Sequence, residues 1–500
     1  GLLVWAGCLR ADRPLAGAGG LLLTSMHMTL LGALIVMAPR DLYAAVCGTA
    51  PDLDGQRVAF MVAPSFEHVA VQWGIWRAGG TAVPLCLSHP PAEVAYVLDD
   101  AAPTVVVGDA AHAGPLGPLV EDRGLRWLPV GDALQGAAGP LPTVPLDRPA
   151  LMIYTSGTTG RPKGVVSTHG NLKAQIGSLV EAWAFSSTDR TVLDLPLHHL
   201  HGILNVVCCS LWVGAAVEMH ARFDAAATWE RLASGDLTLY MAVPTIYRRL
   251  IDHWTAAGPA ERDRLTTGVR GLRLMVSGSA ALPVPTMQRW EEISGHTLLE
   301  RYGMSELGMA LSNPLHGDRV AGSVGFPMPG VEVRLVDEVG VEVEGHLPGE
   351  IQVRGDTVFL EYWRRPEATA ASFTEDGWFM TGDIATRLDG RYRILGRSSV
   401  DILKTGGEKV SALDVENVLL GHPGVAECAV VGLADPDWGQ RIVAAVVPVD
   451  PDLDPDGLRE WCKEHLAPFK IPKSIQLVDA LPRNAMGKVV KATIADQLES

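Results

Sequence analysis

Short apolar runs alternate with longer segments whose apolar residues recur every three or four positions, and this alternation begins near Arg40. The apolar runs predict buried strands, because short continuous apolar runs bounded by turn residues are typical of them. The segments between them, such as residues 68–78, predict helices. The predicted strands include residues 58–63, 82–85, 105–107 and 151–154. Strand–helix alternation of this kind predicts an α/β fold with a mainly parallel sheet.

The pattern changes twice in the second half of the chain. Residues 324–353 and 390–397 contain short alternating segments separated by glycines, which predicts a β-rich subdomain. Residues 400–500 then show strand and helix patterns of their own. We therefore predict an α/β protein with a large N-terminal domain of mixed, mostly parallel sheets that includes the β-rich subdomain (residues 1–397). A small C-terminal α+β domain follows (residues 398–500).

The N-terminal segment is the least regular part of the sequence. No charged residue stands between Arg13 and Arg40, and residues 20–38 are strongly apolar. Their length permits a membrane span, but several polar residues interrupt the segment and no second one follows. Three interpretations stay open, in decreasing order of preference: a core or peripheral segment, a targeting remnant, and a membrane anchor.

The composition limits the partners and the compartment. The 500 residues are 47% hydrophobic and 20% charged, as in a globular protein of two or more domains. The net charge of −16 argues against a nucleic-acid partner, because binding to a phosphate backbone needs a basic surface. The seven cysteines contain no C-x-x-C pair. They predict reduced thiols and no zinc site, in the cytoplasm or, for a eukaryotic source, the mitochondrial matrix.

The densest cluster of candidate chemistry lies at residues 154–171, which read YTSGTTGRPKGVVSTHGN. Directly after Tyr154, ten positions hold three glycines, four hydroxyls and two cations. Glycines let backbone N–H groups approach an anion, hydroxyls donate hydrogen bonds, and lysine adds a charge. The loop therefore predicts a site for a triphosphate, although the Walker A pattern G-x-x-x-x-G-K-[ST] cannot be placed on it.

Four further motifs follow this loop along the chain. They read SGSAAL at residues 277–282, ERYGMSE at 300–306, GWFMTGD at 377–383 with Arg397 after it, and PRNAMGK ending at Lys488. Each motif is a weak signal by itself. In this order, and together with the loop, they resemble the adenylate-forming superfamily of acyl-CoA synthetases, luciferases and peptide-synthetase adenylation domains. The resemblance covers roughly residues 40–500.

The resemblance assigns roles on the nucleotide side. It implies that ATP binds with Mg²⁺ on Glu306, that Tyr302 stacks on adenine, and that Asp383 with Arg397 binds the ribose. The implied cofactor-binding residues are Thr155, Ser156, Gly157, Thr158, Thr159, Lys163, Ser277, Gly278, Ser279, Ala280, Glu300, Tyr302, Gly303, Met304, Asp383, Arg397, Gly406 and Gly407. The implied catalytic residues are Lys488, Glu306, Ser305 (a phosphate contact) and His199.

The resemblance also implies a reaction in two steps. A carboxylate attacks the α-phosphate of ATP while Lys488 neutralises the developing charge, and pyrophosphate leaves. The small C-terminal domain then swings, so that the thiol of CoA attacks the activated carbonyl and AMP departs. The hinge is expected within Ser398–Asp401. Gly406 and Gly407 would line the pantetheine tunnel, with Glu408 where close relatives carry an aromatic residue.

Three segments indicate the acid. They read LPLHHLHG, AVPTIYRRL and LLERYGMSE and resemble those of malonyl-CoA synthetases. Arg301 stands where most fatty and aromatic acyl-CoA synthetases carry a neutral residue, so it would hold a second carboxylate. Arg249, His199 and His201 are the other implied substrate residues. The expected acid is malonate, with methylmalonate as a second substrate; the alternative for Arg301 is a structural salt bridge to a nearby acid.

Other functions stay open at this point. Another short- or medium-chain acyl-CoA synthetase would use the same machinery with a different acid. A free-standing adenylation enzyme would load a carrier protein instead of CoA. A non-catalytic nucleotide-binding relative is disfavoured because Lys163, Glu306, Asp383, Arg397 and Lys488 are all present. The expected partners are small molecules, namely malonate, ATP and CoA, without nucleic acid or a membrane.

Overall fold

The computed structural model describes residues 52–134, 141–155, 161–483 and 489–499. The apolar segment at residues 20–38, Ser156–Thr159 of the phosphate loop and Lys488 lie outside the described residues. Within this described part the strands form four sheets. None of its helices is long and apolar enough to cross a membrane.

The first sheet is built mainly from the N-terminal third of the chain. Its strands there are β1 (Arg57–Met61), β2 (Thr81–Pro84), β3 (Val105–Gly108), β4 (Arg126–Pro129), β5 (Pro149–Thr155) and β6 (Lys163–Thr168). Strands β1 to β5 run parallel in the order β5-β2-β1-β3-β4, and β6 lies antiparallel to β5. The helices of this region are α1 (Phe66–Arg77), α2 (Pro91–Ala101), α3 (Ala113–Glu121), α4 (Val130–Ala133) and α5 (His169–Ala182).

The second sheet repeats the alternation. Its strands are β7 (Arg190–Leu193), β8 (Ala216–Met219), β9 (Leu239–Ala242), β10 (Leu274–Ser277), β11 (Leu299–Met304), β12 (Gly308–Ser312) and β13 (Phe326–Pro327). The order is β13-β12-β11-β10-β9-β7-β8, parallel except at β12 and β13. Its helices are a π-helix (His201–Cys208), α6 (Cys209–Val213), α7 (Ala225–Leu232), α8 (Pro244–Ala256), α9 (Pro259–Val269) and α10 (Val284–Ser294).

The third sheet is antiparallel and is the predicted β-rich subdomain. Its strands are β14 (Val331–Val336), β15 (Gly349–Gly355), β17 (Phe379–Leu388) and β18 (Arg391–Arg397). Between them, β16 (Glu361–Tyr362) leaves this sheet and adds to the edge of the first sheet beside β6, and α11 (Pro366–Ala370) follows. This crossing connects the third sheet to β6, the strand that begins at Lys163.

The fourth sheet belongs to the last hundred residues. Its strands are β19 (Ile402–Thr405), β20 (Glu408–Ser411), β21 (Val425–Asp435), β22 (Gly439–Pro448) and β23 (Ser474–Leu477). The helices are α12 (Ala412–Leu420), α13 (Pro455–His465), a 3₁₀ turn (Pro468–Lys470) and α14 (Lys491–Glu499). This region has its own core, which includes Leu403, Val415 and Leu458.

The predicted fold class is confirmed. The apolar runs form β1, β2, β3 and β5, each of them almost completely buried, and the segment after β1 forms α1. Strands buried on both faces lack an apolar–polar alternation, which is why they appear as continuous apolar runs.

A capping box fixes the end of the phosphate-loop motif. Thr168 Oγ1 accepts a hydrogen bond from Asn171 N–H at the start of α5, and Asn171 Oδ1 accepts one from Thr168 N–H. Asn171 Nδ2 also donates to the carbonyl oxygens of Asp356 and Val358, each at 2.8 Å. The motif therefore begins a helix and also holds the chain segment that leads into β16.

Candidate active site

The site lies where the ends of β10 and β11 in the second sheet meet β17 and β18 of the third. Tyr302, in β11, donates a hydrogen bond from its hydroxyl to Asp383 Oδ2 at 2.6 Å. Arg397 Nε lies 3.2 Å from Asp383 Oδ1, and these two residues are partners in the β17–β18 register. Burial raises the pKa of Asp383, and the Arg397 guanidinium opposes this rise. The structure thus brings together the predicted adenine and ribose residues.

Thr381 is a supporting residue that the sequence analysis missed. Its hydroxyl donates to Ile351 O at 2.8 Å and accepts a hydrogen bond from Asp383 N–H at 3.1 Å. It therefore links the Asp383 backbone to the neighbouring strand β15, which contains Ile351. A hydroxyl residue two positions before the aspartate in GWFMTGD is the signal that would have found it.

Glu306 and Lys163 approach the same aromatic ring from different sheets. The Tyr362 hydroxyl donates to Glu306 Oε1 at 3.0 Å, and Lys163 Nζ lies 4.6 Å from the centroid of the Tyr362 ring. Burial raises the pKa of Glu306, although Arg397 and Lys163 act to lower it. Tyr362 has no local signal in the sequence, because only the pairing of β16 with β6 places it beside Lys163.

A second group of buried residues includes Arg301 and His201, which are predicted to bind the acid. Arg301 Nη2 donates to Ser279 Oγ at 3.2 Å, and the same oxygen lies 3.2 Å from His201 Nδ1. Arg301 is 3% exposed and His201 is 5% exposed. Ser279 has a φ of +70°, a conformation that costs a residue with a Cβ of order 1 kcal/mol and is found often at functional sites. His201 begins the π-helix, a feature that is also frequent at such sites.

Arg301 is a buried cation without an ion pair among the described residues, although the neighbouring Glu300 acts to raise its pKa. Its Nε and the Nε2 of His201 have no hydrogen-bond partner there, and no ion pair within 4 Å involves Arg301. Burial lowers the pKa of Arg301 to about 9, so the guanidinium keeps its charge at neutral pH. Burial, with Arg301 and His199 nearby, holds the pKa of His201 well below its usual range. The alternative of a structural salt bridge therefore finds no partner in this part of the chain.

Glu300, the neighbour of Arg301 in β11, is also buried, and its carboxyl group is hydrogen-bonded to the backbone instead of to Arg301. Its Oε1 accepts a hydrogen bond from Leu282 N–H at 2.9 Å. Burial raises the pKa of Glu300 to about 8, against the opposing effects of this hydrogen bond and of Arg301. The carboxyl group therefore keeps its proton to a higher pH in the folded chain than in the unfolded chain.

Glu300→Gln should flatten the pH dependence of stability. The native state holds the Glu300 proton more tightly, so the free energy of unfolding of the wild type falls as pH rises from about 4.5 to about 8. The loss is at most about 1.4 kcal/mol per pH unit for one proton. Urea unfolding at pH 5, 6, 7 and 8 measures the free energy of unfolding. At each higher pH, the stability of the variant relative to the wild type should increase. If the free energy of unfolding had the same pH dependence in both proteins, the raised pKa of Glu300 would be contradicted.

Gly278 gives the Arg301 guanidinium its space. A Cβ placed on Gly278 would lie 2.5 Å from Arg301 Cζ, which is closer than any real contact. We expect Gly278→Ala to displace the guanidinium and to lower kcat/KM for the acid about 10- to 100-fold, because a misplaced positioning group costs on that order. Gly177→Ala, in the open interior of α5, is the matched control. Equal activity of the two variants would argue against this packing role.

The remaining predicted residues lie at several places. His199 stands beside His198, with ring centroids 4.2 Å apart, and Arg249 is exposed on α8. Gly406 and Gly407, both at positive φ, form the turn between β19 and β20. Those that border the site in the described chain are Thr155 at the end of β5, Ser277 and Ala280 at and after β10, and Gly303, Met304 and Ser305 at the end of β11. Their roles stay predictions, as do those of Ser156, Gly157, Thr158, Thr159 and Lys488 outside the described residues.

Comparison with known families and proteins gives two matches to the same family. The family described as AMP-binding enzyme matches residues 53–363, and its C-terminal domain matches residues 414–488. A mitochondrial malonate–CoA ligase of Mus musculus is 45% identical over 89% of this chain and 82% of its own length. A malonate–CoA ligase of Arabidopsis thaliana is 41% identical over 90% of this chain and 79% of its own.

Solved structures agree with this result. The ATP-bound structure of MatB from Rhodopseudomonas palustris is 34% identical, covers 93% of both chains and superposes with a TM-score of 0.86. A malonyl-CoA ligase in a ternary product complex with methylmalonyl-CoA and AMP is 38% identical, covers 90% of this chain and 94% of its own, and has a TM-score of 0.66.

Proposed function

This chain belongs to the AMP-binding enzyme family, and we propose on that premise that it is an acid–thiol ligase that makes malonyl-CoA from malonate, ATP and CoA. The reaction passes through a malonyl-adenylate and releases AMP and pyrophosphate. Malonate differs from a fatty acid in its second carboxylate. The observation that carries the choice of acid is the buried guanidinium of Arg301, which has no ion pair among the described residues and whose Nε has no hydrogen-bond partner there.

Recognition of malonate follows from the charges at the acyl side. The distal carboxylate pairs with Arg301, whose buried Nε has no hydrogen-bond partner among the described residues, while Ser279 and neutral His201 supply further polar contacts. A monocarboxylic acid would leave the buried cation unpaired. A site rejects an analogue most strongly when binding that analogue leaves a buried polar or charged group without its partner. Methylmalonate keeps both carboxylates, so we propose it as a second substrate. Arg249 and His199 stay predicted pocket residues.

Adenylate formation uses the nucleotide side. Asp383 and Arg397 bind the ribose, Tyr302 covers the adenine, and Lys163 contributes positive charge near the phosphates. The proximal carboxylate of malonate attacks the α-phosphorus, the bond to the bridging oxygen breaks, and pyrophosphate leaves. Lys488 is the proposed cation at this step.

Glu306 is a suitable magnesium ligand. It is a buried carboxylate with Lys163 and Arg397 close enough to affect its pKa, so it lies beside the region where phosphate charge would collect. The described residues contain no group of three or more metal-binding side chains, and magnesium prefers one or two carboxylates plus phosphate oxygens and water. When bound, magnesium would neutralise charge on the triphosphate.

The second step needs a different arrangement of the two domains. We propose residues 1–397 and 398–500 as the domains, with the hinge within Ser398–Asp401. The break between β18, which ends at Arg397, and β19, which begins at Ile402, supports this division. After the swing, the CoA sulfur attacks the malonyl carbonyl, and AMP leaves with the oxygen that joined it to the acyl group.

CoA-dependent AMP release measures the proposed function directly. With malonate, methylmalonate, acetate and octanoate as substrates, we expect malonate to exceed acetate by roughly 10²–10⁴-fold in kcat/KM, because an unpaired buried cation is costly. A carrier protein in place of CoA should accept little malonate, which separates this reaction from carrier loading. Preference for octanoate or acetate would contradict the choice of acid and leave adenylation intact.

A further inference from the structure

A lysine and two carboxylates form a mostly buried cluster at the start of the last helix. Lys491 is the first residue of α14, and its Nζ lies 2.6 Å from Asp401 Oδ1 and 2.7 Å from Glu416 Oε1. The side chains of Lys491, Asp401 and Glu416 are 13%, 16% and 13% exposed. Glu416, in α12, also accepts a hydrogen bond from Val430 N–H at 2.8 Å through the same oxygen. The cluster therefore joins the last helix to α12, to β21 and to the residue before β19.

The cluster holds one cation between two anions. Burial by itself lowers the pKa of Lys491, but Glu416 and Asp401 outweigh it and raise this pKa above its usual value. Burial raises the pKa of Glu416, and Lys491 opposes that rise. The helix gives no reason for a cation at this position, because the dipole at a helix N-terminus disfavours positive charge. The carboxylates therefore fix the ammonium, and its removal would leave both of them buried without this counter-charge.

Asp401 passes this restraint on to Arg397. Asp401 Oδ2 accepts a hydrogen bond from Arg397 N–H at 3.1 Å, and Asp401 N–H donates to Arg397 O at 2.8 Å. Lys491 binds the other oxygen of the same carboxylate, so one side chain holds both the ammonium and the Arg397 backbone. Gly396 leaves room for this arrangement, because a Cβ on Gly396 would overlap that of Asp401. The backbone of Arg397 is thus held at both of its polar groups.

Arg397 belongs to the predicted ribose pair. Its Nε lies 3.2 Å from Asp383 Oδ1, and Asp383 Oδ2 accepts the hydrogen bond of Tyr302. Contacts therefore run without a break from Lys491 to Asp383. They cross the proposed hinge, because Arg397 ends β18 and Asp401 precedes β19. The last helix of the chain is in this way connected to the nucleotide side of the site.

We propose that Lys491 is a positioning residue for the ribose of ATP. It acts through Asp401, which holds the Arg397 guanidinium against Asp383. Without the ammonium, repulsion between the carboxylates of Asp401 and Glu416 would turn Asp401 away from the Arg397 backbone. The pair of Arg397 and Asp383 would then lose its fixed geometry, and with it the preference for a nucleotide that carries ribose hydroxyls. This role rests on the proposed function, which assigns that pair to the ribose.

Equilibrium binding of nucleotides to the full-length chain tests this role without turnover. Isothermal titration calorimetry gives Kd for ATP and for its dideoxy analogue, which lacks both ribose hydroxyls. The wild type should prefer ATP by about 10- to 100-fold, because hydrogen bonds to a charged group are worth about this much. In Lys491→Met this preference should fall several-fold, mainly through weaker binding of ATP. A lysine that serves folding alone would leave the ratio unchanged, because damage to the whole site weakens both nucleotides alike.

Further variants test the route of the effect. Glu416→Gln removes one carboxylate and keeps the contact between Lys491 and Asp401, so it is the matched control and should keep the wild-type ratio. Asp401→Ala should lower the ratio as Lys491→Met does, and the double variant should fall no further, because both changes break one link. An unchanged ratio in Lys491→Met, or additive losses in the double variant, would overturn the proposal. Equal binding of both nucleotides by the wild type would refute the ribose pair itself, and the role of Lys491 with it.

Discussion

Arg301→Met should lower kcat/KM for malonate between about 10²- and 5 × 10³-fold. This fall corresponds to a free-energy cost of about 3–5 kcal/mol, which is the cost of removing one member of a buried charge pair. The variant keeps the apolar stem of the side chain and removes the guanidinium. The distal carboxylate of malonate would then enter a buried site with only Ser279 and a neutral His201 as partners. The same CoA-dependent assay with malonate and propionate measures the effect.

The ratio of the two substrates separates recognition from folding. Loss of the cation should lower kcat/KM steeply for malonate and leave kcat/KM for propionate unchanged or improved. Propionate has no second carboxylate that would be buried without a partner. Arg264→Met, at an exposed arginine in α9 that pairs with Glu261 and Glu230, is the matched control and should behave as wild type. An equal fall with malonate and propionate would indicate a structural role for Arg301 and remove the basis for choosing malonate.

Lys488→Ala should reduce formation of malonyl-adenylate on the order of 10²–10³-fold, as expected when one preorganised charge is removed from a developing phosphorane. Binding of ATP should change little, because the proposed adenine and ribose contacts come from Tyr302, Asp383 and Arg397, which contact one another away from Lys488 in the sequence. Malonate-dependent exchange of labelled pyrophosphate into ATP measures this half-reaction alone.

The second half-reaction provides the contrast. If the lysine acts only in the first step, chemically prepared malonyl-adenylate with CoA should give malonyl-CoA at nearly the wild-type rate in the variant. Lys463→Ala, at an exposed lysine of α13 paired with Glu460, controls for loss of a C-terminal charge. Unchanged pyrophosphate exchange in Lys488→Ala would refute the assigned role, and equal loss in both half-reactions would indicate damage to the domain.

The sequence by itself determined the fold class and the superfamily, and it predicted the residues of the nucleotide site. Buried strands such as β1 appear as continuous apolar runs, and a phosphate loop needs its glycines, hydroxyls and lysine within a few positions. Both are short-range patterns that one stretch of chain carries. The position of Arg301 beside Tyr302, the residue predicted to stack on adenine, was visible for the same reason.

Only the tertiary structure decided which side chains meet. Tyr302 and Asp383 are 81 positions apart, and Ser279 and His201 are 78 apart, so their hydrogen bonds depend on how the sheets are placed. Tyr362 reaches Glu306 only because β16 joins the first sheet. The lack of an ion pair for the buried Arg301 is likewise a property of its packed surroundings. Burial and partners, unlike residue type, come from every element packed around a side chain, which local sequence does not encode.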